Sequence, residues 1–334
     1  MMAELVTIAV DVMGGDNAPQ AVLDGIERVL AENPDIQVIA CGLPEVVEPF
    51  AAAHERCKAQ AASEVIAMDE HPANAVRRKK DSSIVVGCRL VKEGAAQGFF
   101  SAGSTGACLS AATLVVGRIK GIKRPALGQI LPAYERPTLL LDVGANADCK
   151  PDYLVQFGLM GSVFMRQLMG VAAPRVGLLN IGEEEEKGSE FAVECHRQMK
   201  AALPGFSGNA EGRDVLTGHF DVVVTDGFTG NVVLKTVEGA SKTLFRYIKD
   251  VFMASPKTKV GALLVKADLA EVKTKLSPDT YGGAPLLGVK GAVLVGHGSS
   301  GALAVANGIA KAAETVRADV AGVIAATLAE EAVQ

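Results

Sequence analysis

Short apolar runs rich in β-branched residues recur along the chain, each ending in glycine and leading into a stretch with helical spacing. They read VTIAVDVMGGD from Val6, IQVIACG from Ile36, GFFSAGSTG from Gly98, TLLLDVGAN from Thr138, RVGLLNIG from Arg175, FDVVVTDGFTGN from Phe220 and AVLVGHGSSG from Ala292. The runs are continuous rather than alternating, which predicts strands covered on both faces. Strands that alternate with helices in this way predict an α/β fold with a doubly wound, mainly parallel sheet. Ligands of such sheets bind outside the carboxyl ends of the strands. The expectation is therefore that the glycine-rich loops gather on one polar rim, although tight turning alone explains the glycine of any single loop.

Residues 253–280 break the alternation with MASPKTKVGALLVKADLAEVKTKLSPDT. Drawn as one helix, Val260, Leu263, Leu264 and Ala267 form a stripe, and Val265, Leu269, Val272 and Leu276 form another on roughly the opposite side. A helix with two apolar sides predicts a projecting arm, with Leu263, Leu264, Leu269 and Leu276 meeting either a partner subunit or a lipid surface.

At 334 residues the chain is read as one large domain. The net charge of −5 argues against nucleic acid as a partner, which would call for a broad basic surface. Six cysteines without a CxxC pair, and no secretory signal, predict a cytoplasmic protein. Apolar stretches are cut by glycine or charge well short of the ~20 residues that span a bilayer, so any membrane contact is peripheral.

No phosphate-binding GxxxxGK[ST] and no GxSxG nucleophile elbow occurs. GHGSSG, from Gly296 to Gly301, has the form GxGxxG, but no strand with an acidic end follows it, so it fits an anion better than a dinucleotide. Cys195 and His196 are adjacent in a helical stretch, where neighbouring side chains diverge, and read as ordinary helix residues. The basic run RRKKDSS from Arg77 is either a solvated helix entry or a dock for a phosphate or an acidic protein. SAGSTGA from Ser101 and LDVGANAD from Leu141 combine small residues, hydroxyls and amides at strand ends, as backbone cradles for tetrahedral anions do.

Taken in order, DVMGGDNAP, HPANAVRRKKDSS, SAGSTGA, LDVGANAD, NIGEEEEKGSE, GNAEGRD, VVVTDGFTGNVVLKTVEG, YGGAPLLGVKG and GHGSSGALAVAN resemble the phosphate acyltransferase family of bacterial phospholipid synthesis over nearly the whole chain. The resemblance implies a fold similar to isopropylmalate dehydrogenases and phosphotransacetylases. It also implies transfer of a long acyl chain from acyl carrier protein to inorganic phosphate, which supplies acyl phosphate to a glycerol-3-phosphate acyltransferase. A homodimer is implied, without metal, nucleotide or other cofactor, working in the cytoplasm or against the inner face of the membrane.

Phosphate is already nucleophilic near neutral pH, so such an enzyme mainly holds it against the thioester and stabilises the oxyanion. On this reading Ser101, Gly103, Ser104, Thr105, Asp142 and Asn146 hold the phosphate, and Lys187 supplies its counter-charge from the same rim. Glutamates 183–186 are expected in the first turn of the following helix. Asn231 would donate to the thioester oxygen and His297 would protonate the departing thiolate, the alternative for both being loop capping and packing. Arg77, Arg78 and Lys79 would dock the carrier protein. A metal-dependent dehydrogenase, a short-chain phosphotransacetylase and a non-catalytic lipid-surface scaffold are the rival readings.

Overall fold

The computed structural model describes residues 5–276 and 278–331. Its first half runs β1 (Val6–Asp11), α1 (Gln20–Glu32), β2 (Ile36–Gly42), α2 (Pro44–Ala52), β3 (Cys57–Ala61), α3 (Pro72–Arg78), α4 (Ser83–Lys92), β4 (Gly98–Ser101), α5 (Thr105–Ala111), β5 (Ala126–Leu131) and β6 (Thr138–Leu141). The second half runs α6 (Pro151–Met169), β7 (Val176–Asn180), α7 (Glu190–Ala202), β8 (Phe206–Glu211), β9 (Val222–Val224), α8 (Gly227–Met253), α9 (Pro256–Leu264), α10 (Lys266–Lys275), β10 (Ala284–Leu287), β11 (Ala292–Val295), α11 (Ala302–Arg317) and α12 (Val320–Glu331). Among the described residues, eleven strands form one sheet in the order β3-β2-β1-β4-β11-β10-β5-β6-β9-β7-β8.

Continuous apolar strands are the signature of burial on both sides, and the packing shows it residue by residue. Leu139 and Leu141 belong to one core and Leu140 to another across the sheet; Val222 and Val224 are likewise separated from Val223. Ile8 and Val10 face a third core beneath α1 and α11, while Ala9 faces away from it. The period-two pleat produces this division, so apolar residues run consecutively through the centres of these strands.

The sheet is doubly wound and mainly parallel, as the strand pattern predicts, but its halves run in opposite senses. Strands β3, β2, β1, β4 and β11 are mutually parallel. β10 is antiparallel to β11 and to β5, and β5 is antiparallel to β6. β6, β9, β7 and β8 are then parallel to one another. The carboxyl ends of β1, β4 and β11 therefore lie at one edge of the sheet, and those of β6, β9 and β7 at the opposite edge. This corrects the expected single rim.

Residues 253–280 do not form one helix. Proline at the first position of α9 and a capping box between Ser255 and Thr258 start a new helix after α8, and Val265 separates α9 from α10. The segment's residue 277 lies outside the described residues. The apolar side chains at its turn face solvent, with Leu263 72% and Leu264 80% exposed. Val265, Val272 and Leu276 are also exposed, and Leu269 is half-buried. Among the described residues no helix is long and apolar enough to cross a membrane.

Candidate active site

In the first parallel half, β2 lies on one side of β1 and β4 on the other, which places a topological switch point between the carboxyl ends of β1 and β4. The loops there pack backbone against backbone. A β-carbon on Gly14 would lie 2.7 Å from the Gly103 nitrogen, and one on Gly15, whose φ is +111°, would lie 3.2 Å from the Gly298 carbonyl oxygen. Only glycine combines that φ with that proximity. The Asp16 amide donates to the Gly298 oxygen (2.7 Å), and Asn17 Nδ2 donates to the carbonyls of Ser299 and Ser300 (each 3.3 Å). Three loops, after β1, β4 and β11, are thus sewn into one surface.

A buried carboxylate organises it. Asp11 Oδ2 accepts from Ser101 Oγ at 2.7 Å and Oδ1 accepts from the Met13 amide at 3.1 Å, while the Gly103 amide donates to Ser101 Oγ at 2.9 Å. Burial raises the Asp11 pKa, with hydrogen bonds from Ser101, Ser83 and the backbone opposing it. Ser101 and the Gly103 amide are thereby committed to the loop itself. Ser104 caps α5 by accepting from the Ala107 amide (3.4 Å), and Thr105 is exposed at the start of that helix.

His297 is exposed beside these loops. The Ser299 amide donates to its Nδ1 (3.2 Å), and Ser299 Oγ lies 2.8 Å from the same atom. A backbone N–H can only donate, so Nδ1 accepts and the neutral ring carries its proton on Nε2. The basic run is close by, since α3 packs on α5 and a β-carbon on Gly106 would meet Pro72. Arg77 and Arg78 are exposed, whereas Lys79 Nζ donates to Glu70 (2.6 Å) and to the Val65 carbonyl (2.7 Å).

The opposite edge carries the remaining expected residues. Asp142 is buried: Oδ1 accepts from the amides of Leu127, Gly144 and Ala145, and Oδ2 from the amide and side chain of Asn146. Asn146 Nδ2 also donates to the Pro125 carbonyl (2.8 Å). Both side chains are occupied in shaping residues 143–146, and a saturated carboxylate repels rather than holds a phosphate. Asp226 caps α8 by accepting from Thr229 at 2.8 Å, and Asn231 stands exposed beside Gly144.

Lys187 sits at this second edge, in the loop after β7, with its Nζ 3.9 Å from Glu184 Oε2. Residues 183–186 precede α7, which begins at Glu190 under a Ser189 cap, so the glutamates are not in its first turn. Two of them are paired across the loop instead, Glu183 with Arg213 (3.4 Å) and Glu185 with Lys200. From β4 to β6 the sheet takes four strand spacings, and the carboxyl ends point in opposite directions, a separation of roughly 20 Å. Within one chain, Lys187, Asn231, Asp142 and Asn146 therefore cannot share one phosphate with residues 101–105 and His297; this corrects the expected assembly.

Cys195 and His196 are buried in α7, with His196 Nδ1 bonded to Asn209 Oδ1 (2.9 Å). Burial pushes the Cys195, Cys108 and Cys149 thiols up to about 12, far from a reactive thiolate. Among the described residues no three His, Cys, Asp or Glu side chains converge as a metal centre would need. The residues missed as site formers are Asp11, Gly14 and Gly15. Their signal is the DVMGGD string, an acid and paired glycines leaving the first strand.

The architecture is that of the phosphotransacetylases. A Streptococcus pyogenes phosphotransacetylase superposes with a TM-score of 0.62 at 15% identity, covering 94% of both chains. A branched-chain phosphotransacylase from Enterococcus faecalis superposes at 0.58 and 14%, covering 93% of this chain and 99% of that one. Residues 6–323 match the family described as "Fatty acid synthesis protein". Curated proteins named phosphate acyltransferase are 50% identical over 93% of this chain and 94% of their own length in Desulfitobacterium hafniense, and 45% identical over 97% and 99% in Bacillus licheniformis. The chain belongs to the phosphate acyltransferase family.

Proposed function

We propose that this protein transfers a long-chain acyl group from acyl carrier protein to inorganic phosphate, releasing the carrier thiol and forming acyl phosphate for phosphatidic acid synthesis. The observation that carries the proposal is the surface sewn from the loops after β1, β4 and β11, with an exposed imidazole beside it. Phosphate attacks the thioester carbonyl directly, the tetrahedral intermediate collapses, and the carbon–sulfur bond breaks. His297, carrying its proton on Nε2, would deliver it to the leaving thiolate. Ser104 and Thr105 are the hydroxyls of that surface assigned to phosphate, and Ser101 and Gly103 hold the loop in shape for them.

Exposed Arg77 and Arg78, on the helix packed against α5, would receive the acidic carrier protein, with Lys79 fixing the segment that presents them. The exposed apolar turn of α9 and α10 would serve a homodimer or peripheral contact with the membrane, where a glycerol-3-phosphate acyltransferase consumes the product. Incubation with palmitoyl carrier protein, acetyl-CoA, or NAD and a hydroxy acid tests the reading. Thiol release from the carrier that requires phosphate is expected; release independent of phosphate, or from acetyl-CoA alone, would overturn it.

A further inference from the structure

A cavity of about 430 Å³, within the range of small-molecule sites, opens beside His297 and Ser299. One wall is a single face of α8, on which Leu234, Val237, Ser241 and Phe245 follow the three- and four-residue spacing that stacks side chains on one side of a helix. The carboxyl end of β5, with Ile130 and Leu131, and Leu276 after α10 also line it. The half-buried state of the α8 residues leaves this apolar face open to a ligand.

The geometry points to this cavity as the site for the hydrocarbon chain of the acyl donor, with the thioester carbonyl at the His297 and Ser299 end. The inference rests on the acyl-transfer reading and deepens it. From Leu234 to Phe245 the helix advances ~16 Å, long enough to lie along a fatty acyl chain and far longer than an acetyl group needs. Each methylene moved from water onto such a wall strengthens binding about fourfold, so a long chain gains much and a two-carbon chain gains almost nothing.

The charges around the opening agree with this occupant. Glu238 is bonded to Lys235 (2.9 Å), and Lys242 and Lys273, both exposed, also line the cavity, a positive margin for the acidic carrier that bears the chain. The opening also joins the β11 loop directly. A chain lying in the cavity would therefore present its carbonyl to the surface where phosphate is held.

Narrowing the α8 wall tests the assignment. Val237→Phe and Ser241→Phe, made separately, should each lower the ratio of kcat/KM for 16-carbon over 4-carbon acyl carrier protein at least tenfold. They should also weaken binding of a non-hydrolysable 16-carbon thioether analogue by a similar factor, measured by calorimetry on variants whose unfolding temperature matches the parent. Parental selectivity and parental analogue affinity in both variants would overturn the cavity. The binding arm stands apart from turnover: a parent that binds the analogue with this discrimination yet shows no phosphate-dependent thiol release would sink the acyl-transfer reading and leave the cavity intact.

Discussion

Gly14 and Gly103 meet so closely that a methyl group on Gly14 would lie 2.7 Å from the Gly103 nitrogen and 2.3 Å from Asp11 Oδ2. The Gly103 nitrogen is backbone, and the Asp11 carboxyl is buried and held by Ser101 and the Met13 amide, so Gly14→Ala must part the loops after β1 and β4. A displacement near 1 Å can cost ~10² in rate, and a loss of that order in kcat/KM is expected. Gly239 is the control: its β-carbon would meet nothing within 4 Å, and Gly239→Ala in α8 should stabilise the fold by ~0.5–1 kcal/mol without slowing turnover. Steady-state kinetics and denaturant unfolding of the two variants check both outcomes.

Asp11 gives the fold a pH dependence of definite sign. Burial raises its pKa in the folded state above the ordinary 3.8, so the folded protein holds this proton more tightly than the unfolded chain does. Its favourable contribution is complete below 3.8 and is lost as pH rises through the folded value. Asp11→Asn removes that titration. The melting temperature of the parent relative to the variant should therefore fall as pH climbs from 3.8 and level off above the folded pKa; parallel curves across this window would contradict the assignment.

The two arginines and the lysine of the basic run should separate in experiment. Replacing Arg77 and Arg78 with Ala should raise KM for acyl carrier protein several-fold at low ionic strength and flatten its salt dependence, because exposed charges steer association and salt screens them. Lys79→Ala instead breaks the bonds to Glu70 and the Val65 carbonyl, and should cost about 1 kcal/mol of stability. Kinetics over a salt series, with thermal melts, distinguishes steering from support.

At the arm, Leu263→Glu combined with Leu264→Glu should reduce vesicle co-sedimentation or dissociate the proposed dimer, while the core melts unchanged, because both side chains face solvent. Sedimentation velocity and lipid binding of this variant identical to the parent would remove the arm from both roles.

The strands were legible because burial on both faces leaves a continuous apolar run, as Leu139, Leu140 and Leu141 show. Their direction was not. Strand-to-helix alternation reads the same whether two parallel halves run together or opposed, and the reversals at β10 and β5 depend on pairings far apart in sequence. For that reason Lys187, expected beside residues 101–105, stands at the other edge with Glu184. Ser101, Asp142 and Asn146 were legible as important loop residues. Whether their polar atoms face a ligand or their own loop depends on contacts such as Asp142 with Leu127, which residue type alone does not reveal. The arm was found, but as two short helices, because Ser255 and Pro256 restart the chain and Val265 divides it.

The opposed halves of the sheet should also leave the two edges energetically independent. Side chains beyond about 10 Å that share no partner combine without mutual influence, and a sheet core stands between Asn146 and Ser299. Stability losses from Asn146→Ala and Ser299→Ala should sum in the double variant to within ~0.5 kcal/mol. Each edge could then have been altered in evolution without the other having to compensate.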